Sequence, residues 1–119
     1  DLLSTGLPQQ LTIFRHVIKS SGKPPPVIDS ADVLEDPESI LSLLCESIGI
    51  PFSQRMLSWE PGPRNCDGLW GKYWYDSVWK SSGFSPPTPK KEELSEHLHS
   101  ILEESSTIYQ ELREMRIRT

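Results

Sequence analysis

The sequence predicts an α/β fragment that is predominantly helical and contains one short strand. Apolar residues recur every three to four positions in three segments, about residues 6–20, 37–48 and 89–117, as on one face of an α-helix. A short apolar run over about residues 26–29 is typical of a buried strand of a parallel sheet. The 119 residues are enough for one small domain with a single core and too few for two.

The first predicted helix has a regular apolar face, and prolines follow it. Intervals of four, three and four residues separate its apolar members Leu7, Leu11, Phe14 and Ile18. Gly22 and the three prolines after it prevent the helix from continuing, so the chain leaves in an extended form. The predicted strand there consists of little more than Val27 and Ile28. Because a lone strand leaves backbone groups unpaired, it needs neighbouring strands from elsewhere.

The second predicted helix has the clearest start in the sequence. Asp36 is a suitable N-cap, and Pro37 occupies the first helical position, where its missing N–H has no consequence. Gly49, followed by Pro51, ends the helix. We therefore predict a helix over 37–48.

The remaining elements are two short turns and one long amphipathic helix. Short helical turns are predicted at 53–58 and 70–80. Thr88 can cap a helix with Pro89 at its first position. The long helix over 89–117 carries apolar residues about every 3.5 positions, namely Leu94, Leu98, Ile101, Ile108, Leu112 and Met115. Its length of barely four heptads favours packing within a domain over a coiled coil.

Composition and charge exclude several classes of protein. Twelve basic and seventeen acidic side chains give a net charge of −5, which disfavours binding to nucleic acid or to an anionic membrane. No apolar run approaches the roughly 20 residues that cross a bilayer, and nothing resembles a signal peptide. Cys45 lies among apolar residues and Cys66 in a polar loop, so no disulfide is expected. We expect a cytoplasmic or other reducing intracellular location, and the start at Asp1 suggests a fragment of a longer protein.

The segment from Val27 to Pro51 resembles a stretch of the sulfotransferase family. In that family a core strand runs into a signature of acidic residues, leucine and proline, and then into a helix that ends in a leucine-glycine or isoleucine-glycine step. Here the run Asp32 to Pro37 and the pair Ile48 and Gly49 occupy the corresponding places without gaps. The resemblance is closest to a poorly characterised branch, some members of which are fused in plants to an aminotransferase-like domain.

A second segment resembles the late loop with which sulfotransferases hold the 3′-phosphate of the sulfuryl donor. The matching residues are Arg64, Gly68, Trp70 and Lys72. A guanidinium grips a phosphate with two parallel hydrogen bonds, and a glycine lets backbone N–H donors approach closely. The resemblance therefore implies that these four residues bind the cofactor 3′-phosphoadenosine 5′-phosphosulfate. The segment departs from the family pattern at Gly71, which separates the tryptophan from the lysine, and no lysine follows the arginine.

The resemblance also implies what this chain leaves to others. The family binds the 5′-phosphosulfate with a glycine-rich loop, and no G-x-x-x-x-G-K-[ST] run exists here. Residues 1–119 are accordingly expected to be a single domain, or the C-terminal part of one sulfotransferase-like domain whose phosphate-binding half is absent. That missing N-terminal half is the first expected partner, and the chain alone is expected to be inactive.

Less specific interpretations remain open beside these. Arg64 is equally consistent with a solvated side chain in a proline-rich turn, and clustered aromatic residues more often pack than bind. The alternative function is a non-catalytic helical module that binds another protein or a second copy through the helix 89–117. His16, His97 and His99 lack the neighbours of a zinc site, so no metal is predicted. No residue is assigned as a catalytic base.

Overall fold

A computed structural model describes all 119 residues, and 57% of them are helical. The chain divides into two compact units, one of residues 1–29 with 88–119 and one of residues 30–87. Its α-helices are α1 (Leu7–Ser21), α2 (Ser30–Glu35), α3 (Pro37–Ile48), α4 (Gly71–Trp74), α5 (Asp76–Lys80) and α6 (His99–Glu114). Short 3₁₀ helices cover Leu2–Thr5, Gln54–Met56 and Glu96–Leu98.

The first unit is built on α1 and α6, which pack against each other. Leu11 and Phe14 of α1 and Leu112 of α6 are buried together, with Val27 and Ile108 packed around them. Burying side chains of this size stabilises a fold by roughly 1.5–3 kcal/mol each. Two members of the apolar stripe predicted on α1, Leu11 and Phe14, thus form this core, whereas Ile18 near the end of the helix is exposed.

A buried carboxylate ties the extended segment after α1 to α6. The side chain of Asp29 is 7% exposed and accepts a hydrogen bond from the Tyr109 hydroxyl. The Nε of Arg113 lies 3.5 Å from the same carboxylate oxygen. Near the C-terminus the N–H of Ile117 donates to the carbonyl of Val27 at 2.8 Å. A buried charge is tolerated only when it is paired and hydrogen-bonded, and these contacts meet that requirement.

The second unit has its core between α2 and α3, which pack together around Val33, Ile40 and Cys45. The Asp36 carboxylate caps α3 by accepting from the N–H of Ser39 at 3.2 Å. Gly49 follows the last helical residue, as predicted. The helices predicted over about 6–20 and 37–48 are therefore confirmed to within one residue at each end.

The strand predicted over about 26–29 does not form. Residues 24–29 lie outside regular secondary structure, and the chain contains no strand but an isolated antiparallel bridge between Ser58 and Gly83. A strand exists only through its ladder of hydrogen bonds, and the bond that Ile117 donates to Val27 does not extend into such a ladder. The apolar composition of the run was read correctly, but no neighbouring strand is present to pair with it.

The long helix predicted over 89–117 begins later than expected. Residues 88–95 are irregular, and α6 proper starts at His99 after a short 3₁₀ turn. Thr88 and Pro89 therefore cap no helix. Within the irregular residues 88–95 the sequence offers one apolar residue, Leu94, which is exposed. A helix without an apolar face to bury is marginal in water, which accounts for the shorter element.

Three further findings concern the remaining helices. Helix α2 (Ser30–Glu35) was not predicted, because its six residues are too few to show a helical period. The turns predicted at 53–58 and 70–80 appear as the 3₁₀ helix Gln54–Met56 and as α4 and α5. None of the helices has both the length and the apolar composition that spanning a membrane would require.

Candidate functional site

The candidate site is the loop of the second unit that runs from residue 58 into α4 and α5. Two backbone hydrogen bonds close its base: the N–H of Trp59 donates to the carbonyl of Ser82 at 3.0 Å, and that of Gly62 to the carbonyl of Trp79 at 2.7 Å. The indole of Trp59 meets the ring of Phe84 edge to face, with centroids 5.3 Å apart. The loop is thus held at both ends although it contains little regular structure.

Asp67 fixes the middle of the loop. Its Oδ2 accepts the backbone N–H of Arg64 at 2.6 Å and the indole N–H of Trp79 at 2.8 Å. The pKa of Asp67 is below its ordinary value. The largest cause is the hydrogen bond from the backbone of Arg64, and the next is the hydrogen bond from the indole of Trp79. The carboxylate therefore stays ionised at neutral pH and holds the turn and α5 together.

Gly71 fills a position where no side chain fits easily. A Cβ atom at this residue would lie 3.1 Å from Cβ of Asp67, 3.1 Å from Cζ2 of Trp79 and 3.4 Å from Cδ2 of Tyr75. The first two separations are tighter than ordinary van der Waals contacts, so a larger residue would require Asp67 and Trp79 to shift by a few tenths of an ångström. The glycine that departs from the family pattern is a packing requirement of this loop.

The four predicted site residues lie in two groups along the loop. Arg64 is exposed, and its Nη2 donates to the carbonyl of Glu60 at 2.8 Å. Gly68 follows Asp67 with φ of +71°, a left-handed conformation that side chains disfavour. Arg64 and Gly68 thus flank the Asp67 turn.

Trp70 and Lys72 form the second group, around Tyr73. The indole of Trp70 is 68% exposed and lies 6.1 Å from the Tyr73 ring, centroid to centroid. The Nζ of Lys72 lies 4.9 Å from the centroid of the same ring, in a cation–π contact. No contact joins Lys72 to Arg64, so the structure places the four residues on one loop without bringing the two cations together.

An open cavity of about 450 Å³ adjoins this second group. It is lined by Trp70, Trp74 and Tyr75, almost entirely through carbon atoms. The indole nitrogens of the two tryptophans donate to no protein acceptor, in contrast to those of Trp59 and Trp79, which donate to Ser81 and Asp67. The cavity therefore offers flat apolar walls with two available N–H donors.

Sequence reasoning missed the residues that shape the site. Asp67 was not singled out, and Gly71 was treated only as a departure from the pattern. One signal was available: an aspartate directly before a glycine is typical of a turn in which the carboxylate accepts a nearby backbone N–H. The bond from Trp79 could not be inferred, because it joins residues 12 positions apart.

This geometry is that of an exposed loop whose fixed backbone presents cationic and aromatic side chains to solvent. The chain belongs to the sulfotransferase family: the family described as "Sulfotransferase domain" matches residues 20–114, which include the whole loop. The resemblance between the sequence and that family is thereby confirmed. No solved structure matches the chain.

Two curated relatives come from Arabidopsis thaliana. The chain is 37% identical to branched-chain-amino-acid aminotransferase-like protein 2 over an alignment of 108 residues. That alignment covers 91% of this chain and 19% of the relative. It is 38% identical to branched-chain-amino-acid aminotransferase-like protein 1 over an alignment of 113 residues. This second alignment covers 95% of this chain and 20% of the relative. The chain thus spans about a fifth of the length of these relatives. Their names agree with the expected branch of the family.

Proposed function

We propose that this chain is the C-terminal portion of a sulfotransferase-like domain and contributes to a nucleotide 3′-phosphate site for sulfuryl transfer in the intact protein. The observation that carries the proposal is the position of Arg64, whose exposed guanidinium stands on a loop fixed by Asp67 within the segment that matches the family. The cofactor of the intact protein would be 3′-phosphoadenosine 5′-phosphosulfate.

The anchoring of Arg64 supports a role in binding an anion. Its Nη2 is held by the carbonyl of Glu60, a neutral acceptor, and the Asp67 carboxylate interacts with the guanidinium electrostatically without forming an ion pair with it. The remaining guanidinium N–H groups can donate to a phosphate in the bidentate manner typical of arginine. Because the backbone of the loop is fixed before a ligand arrives, binding requires little ordering of the chain.

Gly68, Trp70 and Lys72 would complete the nucleotide site. The left-handed glycine lets the backbone come close to a phosphate, and the lysine adds a second positive charge. Trp70 presents a largely exposed indole to which a flat purine could stack. The charges act by holding the donor in place rather than by bond making.

The donor supplies the chemistry, namely a sulfuryl group on its 5′-phosphate that passes to a hydroxyl or amine of the acceptor. We assign no general base among the 119 residues. The 5′ side of the donor requires a phosphate-binding loop of its own, and this sequence has no such run. We therefore expect these 119 residues to be inactive by themselves.

The test is isothermal titration calorimetry of the full-length protein with 3′-phosphoadenosine 5′-phosphate. A hydrogen-bonded charge contributes about 1.5–3 kcal/mol, so Arg64→Ala is expected to weaken binding by roughly 10- to 100-fold. Lys90→Ala, which removes an exposed cation from the irregular segment before α6, is the matched control and should leave affinity unchanged. An Arg64→Ala protein that binds as tightly as the wild type would remove the basis of the proposal.

A second function is favoured by a patch of exposed apolar side chains on the same loop. Leu69 is 79% exposed and Trp74 is 76% exposed, and Trp74 shares a cavity wall with the exposed Trp70. Exposed apolar surface of this kind often marks a binding face. The chain would then be a non-catalytic module that binds another protein or a second copy, through this patch or through α6. Light scattering after size exclusion should in that case detect a complex whose formation Trp74→Ser abolishes, whereas a stable monomer at all concentrations would contradict self-association.

A further inference from the structure

A second open cavity of the 30–87 unit differs in chemistry from the aromatic one. Its volume is about 570 Å³, and its lining residues are Arg55, Ser58, Trp59, Glu60 and Ser82. Most of these side chains are polar, whereas the cavity beside Trp70 is lined by carbon. The two cavities therefore suit different ligands.

The polar groups of this cavity are available to a ligand. The guanidinium of Arg55 and the carboxylate of Glu60 have no partner in the protein, since Arg55 uses only its backbone N–H, toward Ser53, and Glu60 only its carbonyl. The hydroxyls of Ser58 and Ser82 are likewise without a hydrogen bond. The cavity thus presents a guanidinium that only donates hydrogen bonds, a carboxylate that only accepts them, and two hydroxyls that do both.

The walls of the cavity are fixed by backbone contacts. Ser58 forms the antiparallel bridge with Gly83, and the N–H of Trp59 donates to the carbonyl of Ser82. The indole nitrogen of Trp59 donates to Ser81, so the indole surface that remains for the cavity is carbon. A ligand would meet a largely preformed site, which is what small-molecule sites usually provide.

We propose that this cavity binds a carbohydrate ring. The ring would be the part of the sulfuryl acceptor that the 30–87 unit recognises, and this role as an acceptor site rests on the proposed function. Each sugar hydroxyl both donates and accepts, and so matches a lining that combines a guanidinium, a carboxylate and two hydroxyls. The C–H face of a sugar ring is apolar and packs on an indole such as Trp59. A purely apolar ligand would leave these polar groups without partners, which disfavours it.

The cavity also adjoins the proposed nucleotide loop. Glu60 is one of the residues that line the cavity, and its carbonyl accepts a hydrogen bond from the guanidinium of Arg64 at 2.8 Å. One residue therefore belongs to both sites. A donor held by Arg64 and a sugar held by Glu60, with Arg55 in the 3₁₀ helix just before the loop, would therefore bind to adjoining parts of the 30–87 unit.

The test is saturation-transfer NMR and calorimetry of the full-length protein with the methyl glycosides of glucose, galactose and glucuronic acid, and with cyclohexanol as an apolar ring of similar size. At least one glycoside is expected to bind saturably and more tightly than cyclohexanol. Arg55→Ala should weaken that binding by about five- to tenfold, the loss of one charged hydrogen bond. The nearly isosteric Glu60→Gln tests the same site without removing bulk, and should weaken it as well.

Arg64→Ala separates this inference from the proposed function. It should weaken the binding of 3′-phosphoadenosine 5′-phosphate and leave the glycoside bound, whereas Arg55→Ala should do the reverse. Nucleotide binding without any glycoside binding would overturn the carbohydrate site alone. Equal binding of cyclohexanol and glycosides, or glycoside binding unchanged in both Arg55→Ala and Glu60→Gln, would overturn it as well.

Discussion

Replacing Gly71 by alanine is expected to destabilise the candidate site, although alanine is the better helix former. The added methyl group would lie 3.1 Å from carbon atoms of both Asp67 and Trp79. Overpacking of this kind typically costs about 1–3 kcal/mol, whereas exchanging glycine for alanine in a helix contributes roughly 0.5–1 kcal/mol in the opposite direction. The net expectation is a loss of about 1 kcal/mol, or a fall in Tm of about 3–6 °C for a chain of this size.

Thermal unfolding followed by circular dichroism measures this loss, and nucleotide titration of the full-length protein reports whether the loop has shifted. Ser77→Ala, an exposed substitution on α5, is the control, because it gains helix propensity without adding atoms at a contact. It should raise Tm slightly. A Gly71→Ala protein that is as stable as Ser77→Ala would refute the argument that Gly71 is required by packing.

Three further predictions follow from individual contacts. The hydroxyl of Ser105 on α6 is buried and has no hydrogen-bond partner. Ser105→Ala should therefore raise the free energy of unfolding by about 1 kcal/mol, as measured by urea titration. A lower free energy of unfolding would show that the hydroxyl does have a partner. The hydrogen bond to Asp29 raises the pKa of Tyr109, so its contribution to the stability of the fold is present below pH ~10 and is lost as pH rises through the folded-state pKa. The alkaline unfolding of Tyr109→Phe should therefore lack this pH-dependent component. An alkaline profile identical to that of the wild type would contradict the assignment. The pKa of Asp67 is lowered, so the stability that this carboxylate contributes is present above pH ~4 and is lost as pH falls through the folded-state pKa. Asp67→Asn should remove that part of the acid dependence, which an acid titration of Trp79 fluorescence would detect. An acid profile identical to that of the wild type would count against the hydrogen bond from Trp79 to Asp67.

How much of the fold could be predicted depended on whether the deciding contacts were local. Helix α3 was predicted to the residue because its cap, its proline and its terminal glycine all lie within two residues of its ends. The N-terminal part of the helix predicted over 89–117 failed because capping residues alone do not stabilise a helix whose apolar face has nothing to pack on. The strand over 26–29 failed for a related reason, since strand formation depends on a partner segment that the local sequence does not specify.

The candidate site shows the same division between local and distant determinants. Arg64, Gly68, Trp70 and Lys72 could be selected from residue type, spacing and family resemblance, and they do lie on one exposed loop. What holds that loop is Asp67, whose partners include an indole 12 residues away, and no spacing rule in the sequence predicts that bond. Residues that contact a ligand directly are therefore easier to propose from sequence than residues that position them.

The four tryptophans show why aromatic density alone does not distinguish a core from a binding surface. Trp59 and Trp79 are half-buried, and each donates its indole N–H to a polar side chain, Ser81 for the former and Asp67 for the latter. Trp70 and Trp74 are exposed, and their N–H groups have no protein partner. Because burying an indole leaves its N–H in need of an acceptor, the partner and not the ring decides which tryptophan can pack. Sequence clustering indicated that the segment mattered, but only the hydrogen bonds divide it into two tryptophans that build the loop and two that remain available to a ligand.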